Sequence, residues 1–345
     1  MKKRTLAVLI GAATLPVTAM AAPGFYGKLH LSLDRTSDYL SASVGDQITG
    51  GTPLTDAWFL ESNSSRLGVK GSDALFNSDL KAIYQVEVGI DADGDGSTFS
   101  TRNTYLGLDT KAGKFFAGRY DSVIKQAQGN VDQFNDTAAD MENIFYGERR
   151  LSNTLNWESP SYSGLVFKVQ LAPGEGTTIG SAANTDLKDG AADTAGASVT
   201  FNQDALYVSI AAESSYIDSQ TGDATDTQTL RGVVGANLDG GVQLGAIVEQ
   251  VKLDYTGGGD ADVMTYMVSG AVKAGDRLTL KAQYGKLDSS DLNSDASVVT
   301  AGADYMLGKQ TKVYGLASMS DADLATTPAV NKNGNLISLG MVHSF

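Results

Sequence analysis

Apolar and polar residues alternate one for one over short stretches along most of this chain. In LVFKVQL, Leu165, Phe167, Val169 and Leu171 fall on one face, and Val166, Lys168 and Gln170 on the other. LKAIYQVEV sets Leu80, Ala82, Tyr84, Val86 and Val88 against Lys81, Ile83, Gln85 and Glu87. In RLTLKAQYGK, Leu278, Leu280, Ala282 and Tyr284 oppose Arg277, Thr279, Lys281 and Gln283, and the rhythm returns at Leu206, Val208, Ile210 and Ala212. A period of two marks a β-strand whose faces meet different surroundings.

The connectors between these stretches are of two kinds. Asp239-Gly240-Gly241, Ala274-Gly275-Asp276, Leu307-Gly308-Lys309 and Thr110 to Gly113 are tight turns. Tyr39 to Asp56, Asp91 to Thr101, Pro173 to Ala195, Ile217 to Gln228, Leu287 to Ala296 and Asp321 to Gly334 are long, polar and acidic. Long and short connectors follow one another along much of the chain, as in an antiparallel barrel with turns on one rim and loops on the other. Turn signals count sixteen strands, the first near Phe25–Asp34 and the last near Asn335–Phe345. That allows about 20 residues per strand and connector, room for the ~9–11 that cross a membrane when tilted.

A soluble sandwich alternates as well, and the last strand separates the two. NLISLGMVHSF sets Ile337, Leu339, Met341, His343 and Phe345 on one face. An apolar face and an aromatic so placed suit a membrane barrel, whose closure pairs every backbone group in lipid. The expected fold is all-β: a 16-stranded antiparallel transmembrane β-barrel.

The first residues, MKKRTLAVLIGAATLPVTAMA, read as a secretory signal peptide: Lys2, Lys3 and Arg4, an apolar run, then Ala19-Met20-Ala21. The organisation expected is a cleaved leader over residues 1–21 and a single domain over 22–345. Losing the leader's three bases takes the net charge from −14 to −17. No further stretch reaches the ~18 apolar residues of a membrane helix. Cysteine is absent and histidine limited to His30 and His343, so disulfides, thiol chemistry and His-rich metal sites lose their parts. The acidic balance excludes nucleic acid as a partner, since that requires a basic footprint.

One connector concentrates acid. GNVDQFNDTAADMEN, from Gly129 to Asn143, holds Asp132, Asp136, Asp140 and Glu142, no base, and Phe134 as its one aromatic. A catalytic acid pair, a metal site, a solvated loop and a charged constriction all fit this stretch taken alone. DADGDGSTF offers Asp91, Asp93, Asp95 and Gly96 in calcium-loop register, but Arg102 stands where the bidentate Glu is needed. An acidic outer-rim loop is the expectation there, with no cofactor or metal. His343 is read as interfacial, and His30 as lining the lumen or a subunit contact.

The order and spacing of PGFYGKLHLSLD, SSRLGVKGSDAL, STRNTYLGLDTKAGKFFAGRYDS, RRLSNTLNWESPSYSGLVFKVQ and the final Phe345 resemble the general diffusion porins of the Gram-negative outer membrane. The resemblance implies a trimer of 16-stranded barrels that passes small hydrophilic solutes and ions, seated among outer-membrane lipid and lipopolysaccharide. In that family the third loop, here following Gly118-Arg119, folds into the barrel and narrows the pore. It implies constriction carboxylates at Asp132 and Asp136, with a further acid at Asp140. Facing bases are implied at Lys28, Arg66, Arg102 and Arg150, with Arg149 adjacent. The Pro-Glu-Phe-Gly-Gly tip of some members is replaced by Gln133-Phe134-Asn135-Asp136.

Acids facing bases make a transverse field across a narrow passage with low-dielectric walls. The function expected is a passive channel, not an enzyme. The alternatives are a substrate-specific channel, or a barrel enzyme or adhesin. A histidine-based hydrolase lacks its parts, a glycosidase lacks sugar-stacking aromatics in the loop, and the mature charge predicts a mild cation preference.

Overall fold

The computed structural model describes residues 23–40, 56–76, 79–94, 96–181, 184–217, 225–255, 259–324 and 330–345. The leader expected over residues 1–21 lies outside them, as does Asp95 of the DADGDG run.

Among the described residues, sixteen antiparallel strands close on themselves. They are β1 (Gly24–Ser37), β2 (Ala57–Ser62 continued by Arg66–Ala74), β3 (Lys81–Ile90), β4 (Phe99–Thr110), β5 (Gly113–Asp121), β6 (Arg150–Glu158), β7 (Leu165–Ala172), β8 (Thr194–Gln203), β9 (Leu206–Ile217), β10 (Thr225–Leu238), β11 (Val242–Tyr255), β12 (Asp260–Lys273), β13 (Leu278–Ser289), β14 (Ser294–Met306), β15 (Thr311–Leu324) and β16 (Val330–Ser344). Each strand pairs with the next, and β16 returns to β1, with Ser344 opposite Lys28 and Asn335 opposite Ser37. The seam ends in two bonds: Gly27 N–H donates to the Phe345 carbonyl at 2.9 Å, and Phe345 N–H to the Gly27 carbonyl at 3.0 Å. Both pieces of β2 pair with β1 in one direction, which makes them a single strand. A small two-stranded ribbon, Thr177–Ser181 with Asn184–Lys188, rises from the connector between β7 and β8.

Alternation divides outside from inside. On β1, Leu29 and Leu33 are exposed on the outer surface, while His30, Ser32, Asp34 and Thr36 are buried on the inner one. The expected outer faces Leu165-Phe167-Val169 and Leu280-Tyr284 are likewise exposed. Several strands outrun the sequence reading: the polar stretch from Leu287 to Ala296 keeps only residues 290–293 as a connector. A ladder is built from backbone groups, so polar side chains do not end it once the strand leaves the lipid.

Among the described residues three bulges interrupt the pairing, all on one wall. Residues 63–65 of β2 face Leu29 and His30 of β1, residues 102 and 103 of β4 face Glu87, and residues 152 and 153 of β6 face Arg119. Each gives an even-numbered strand one extra residue, which bends it and re-aims its side chains.

The apolar core lies within the barrel. The connector over residues 122–149 folds inward, and its Ile124, Val131, Phe134, Met141, Ile144 and Phe145 are buried against Val233, Ile247, Val251, Met267, Val298 and Leu316. Several of these loop side chains rest over inward-facing glycines. A Cβ on Gly196 would meet Val123 at 2.5 Å, one on Gly245 would meet Val131 at 2.4 Å, and one on Gly285 would meet Ile144 at 2.3 Å. The wall under the loop is thus pitted to receive it.

Candidate functional site

The inward loop is fixed at root, middle and tip. At its start Ser122 caps the short helix α1 (Val123–Ala127), its hydroxyl accepting from Lys125 N–H at 3.0 Å. At its end a buried charge cluster grips both limbs. Arg231 of β10, wholly buried, donates to Glu249 of β11, to Glu148 at 2.5 Å, and to the Ile124 carbonyl at 3.1 Å. The other Glu249 oxygen accepts from Tyr146 N–H at 3.0 Å and Gly147 N–H at 3.3 Å. Arg149 pairs with Glu213 at 2.5 Å and lies over the Tyr146 ring. Nearer the tip, Ser269 and Lys281 donate to the Val131 and Gln133 carbonyls, and Gln133 N–H donates to Gln283.

Asp132 is placed differently from Asp136. Both Asp132 oxygens turn back into the loop, one accepting from Phe134 N–H at 2.9 Å and the other from Met141 N–H at 3.1 Å. It organises the loop, and it is absent from the residues lining the cavity beyond. Asp140 caps the short turn Met141–Asn143 through Glu142 N–H at 2.9 Å, and also accepts from Asp136 N–H at 2.6 Å. Asp136 has a left-handed backbone (φ 63°), a conformation that Asp tolerates better than most residues. Its carboxylate reaches the opposite wall, 2.5 Å from Lys28 Nζ and 3.4 Å from Arg66 Nη1.

Lys28 and Arg66 are direct cross-strand partners, so two like charges face each other with the Asp136 carboxylate between them. A polar cavity of about 380 Å³ continues along the wall, and Arg66, Arg102, Arg150, Asp136, Asp140 and Glu142 all line it. The structure therefore brings together six of the seven residues expected at a constriction, Lys28 through its pair with Asp136, and leaves Asp132 inside the loop.

The wall holds carboxylates that the sequence reading did not assign. Glu87 accepts from Arg102 Nε at 2.6 Å and from Tyr26 OH at 2.8 Å, and lies 3.9 Å from Arg66 Nε. Asp121 pairs with Arg150 at 2.9 Å and accepts from Asn103 Nδ2 at 2.8 Å. Asn103 accepts in turn from Arg150 Nε at 2.7 Å. The β4 bulge makes this possible, because Arg102 and Asn103, neighbours in sequence, both reach the cavity. Glu87 was readable as a charge on the polar face of LKAIYQVEV, but its bond to Arg102 was not. Arg149, the neighbour of Arg150, is instead held at the loop root.

The loop acids differ in their protonation. Burial raises the Asp136 carboxyl, but Lys28 and Arg66 outweigh burial and hold it far below the usual range. Burial pushes Asp132 up to about 6, against the pull of its backbone bonds. Burial, then the neighbouring Asp132 and Glu142 carboxylates, hold Asp140 well above the ordinary value. Burial also raises Glu142, with Lys125 pulling the other way.

Among the described residues no group of three or more His, Asp or Glu is placed to hold a metal ion. Asp91 and Asp93 instead accept from Gly96 N–H and Ser62 N–H, both at 2.5 Å. His30 is buried on the inner wall with Nε2 2.9 Å from Tyr314 OH, and His343 is exposed beside Thr311 and Phe345.

The model of the Gram-negative porin family matches residues 5–324 of this chain. The chain belongs to that family. This porin is 34% identical over 175 residues to the major outer membrane protein P.IB of Neisseria meningitidis, an alignment covering 50% of each chain. It thus spans about half the length of the Neisseria relatives it matches. It is 26% identical to outer membrane porin protein 32 of Delftia acidovorans, over 94% of this chain and 92% of the relative. Among solved structures, the anion-selective porin from Comamonas acidovorans superposes with a TM-score of 0.73 at 19% identity, covering 94% of this porin and 99% of that chain. The shared fold is the 16-stranded barrel, and its place is the Gram-negative outer membrane.

Proposed function

We propose that this porin is a water-filled channel for passive diffusion of small hydrophilic solutes and ions. Its narrowest passage runs between the wall row Lys28, Arg66, Arg102 and Arg150 and the loop carboxylates Asp136 and Asp140. Asp132 keeps the loop in shape without facing the solute. One observation carries the reading: the Asp136 carboxylate reaches from an inward-folded loop to two bases on the opposite wall, beside a cavity lined by charges of both signs. Such a field orients dipolar solutes and penalises apolar ones, which cannot replace the displaced ordered water.

The reading is passage and not reaction: Asp136 is engaged by bases, and Asp132 and Asp140 by backbone N–H groups. The reading extends to a homotrimer in lipid and lipopolysaccharide, with the leader over residues 1–21 removed on export. Purified protein in a planar bilayer tests it. Stepwise ohmic openings in groups of three are expected, and absence of conductance from correctly folded protein refutes the channel.

A further inference from the structure

Resting on the channel reading above for the access of solute, we propose that a second cavity, away from the arginine row, binds a neutral polyol of monosaccharide size. About 310 Å³ in volume, it lies between the loop root, the bulge of β6 and the base of the two-stranded ribbon, and Arg149, Ser152, Asn153, Glu175, Thr194 and Tyr216 line it. That volume exceeds the needs of a bare ion and stands at the small end of ligand pockets, about 300–1,000 Å³.

The bulge and the ribbon meet across this cavity in an uncommon shape. Asn153 and Glu175 both have left-handed backbone, φ 57° and 55°, and the Asn153 amide donates to one Glu175 oxygen at 2.5 Å. Asn tolerates that conformation, but a glutamate rarely adopts it. Such residues persist where their surroundings hold them, and they gather at binding sites. The turn that carries Glu175 is braced on both sides, by Gly174 N–H to the Gly190 carbonyl at 3.1 Å and Gly176 N–H to the Lys188 carbonyl at 3.0 Å. Both side chains are therefore set in place by the fold itself.

The polar atoms left over indicate the ligand. Glu213 matches the charge of Arg149, whose Nη2 donates to Glu213 and Ser215, both at 2.5 Å. Arg149 Nη1 reaches the Tyr146 hydroxyl only at 3.4 Å, and Nε has no hydrogen bond. Ser152 accepts from Arg119 at 2.6 Å, which leaves its own O–H to donate. Among the described residues, Asn153 Oδ1 and the second Glu175 oxygen accept no bond. Donors and acceptors thus mix around a space that offers no unmatched base to an anion. A polyol, whose hydroxyls each donate and accept, suits both sets. The Tyr216 ring adds apolar surface for the C–H groups of a sugar ring.

Saturation-transfer NMR on the folded porin in detergent, with glucose as probe, reads binding whether or not the protein conducts. Saturable binding of glucose is expected. Glu175→Gly and Asn153→Gly keep the left-handed backbone and remove the side chains, and each should weaken binding about tenfold. Heat-modifiable gel mobility identifies the folded variants, and Glu175→Gln repeats the test without touching the ribbon turn. Either of two results overturns the proposal: no saturable binding of glucose, or unchanged affinity in the folded variants. Saturable binding of alanine, a zwitterion, in place of glucose overturns the polyol class. Absence of bilayer conductance with glucose binding intact would instead refute the channel reading and leave the site standing.

Discussion

At the scale of single residues, Asp136 carries the contact between loop and wall. Its carboxylate is the only loop group within 4 Å of both Lys28 and Arg66 among the described ion pairs. Asp136→Asn leaves two facing bases without their shared partner. The expected result is a shift of reversal potential toward anions and greater open-channel noise, both read in single-channel records. Asp132 shows where residue-level reading from sequence stops. Its spacing from Gly118-Arg119 suited a filter acid, but in an irregular loop, spacing does not fix the direction of a side chain. Two backbone N–H groups turn Asp132 inward, and only the folded backbone reveals them.

At the scale of the element, the inward loop is an acid-rich segment held against an apolar wall by buried ion pairs. Arg231 is its deepest anchor. Arg231→Met removes the guanidinium that buried Glu148 and Glu249 share, leaving Glu148 to Lys125 at 3.5 Å and Glu249 to two backbone N–H groups, a change of about 3–5 kcal/mol against the docked loop. Faster hydrogen exchange at residues 145–148 and a raised conductance should follow. The loop also predicts a response to acid. Asp140 and Glu142 take up protons at higher pH than ordinary carboxyls, and Asp136 at lower pH. The loop therefore loses negative charge while Asp136 stays ionised, and the reversal potential should move toward anions as pH falls. Asp132, raised to about 6, binds its proton more tightly in the docked loop than in a free one. Its contribution to docking is fully present below the ordinary carboxyl value of about 3.9 and is lost as pH rises through about 6. Mild acid should thus change selectivity without releasing the loop, and reversal potential and conductance recorded together across pH separate the two.

At the scale of the whole molecule, the barrel was legible because period-two patterning reports two-sidedness directly. LVFKVQL and the strand ending at Phe345 needed only the lipid-facing alternation to be placed. The bulges of β2, β4 and β6 were not legible, since one extra residue is indistinguishable in sequence from a ragged strand end. With them went the pairing of Glu87 and Asp121 to the arginine row. The ring of strands is closed by β1 against β16. Besides its two backbone bonds, Phe345 lays its ring over Gly27, where a Cβ would meet it at 2.4 Å. Gly27→Leu should displace that ring and lower the yield of heat-modifiable folded barrel, measured by gel mobility. The same substitution at Gly240, where a Cβ meets nothing within 4 Å, tests backbone strain alone, because that glycine has φ 78°.

The glycines beneath the loop set its height. Val131 rests over Gly245 and Ile144 over Gly285, so the distance between loop and arginine row is governed by how deeply those side chains sink into the far wall. Calibre and charge are therefore separately adjustable. Gly245→Ala adds one methyl remote from the charged row and lifts the loop toward the passage. The size of solute admitted should shrink, as a lower conductance and slower sugar entry into liposomes, while the reversal potential stays where the acids and bases put it. A porin built this way can retune the bulk of what it admits without touching the sign.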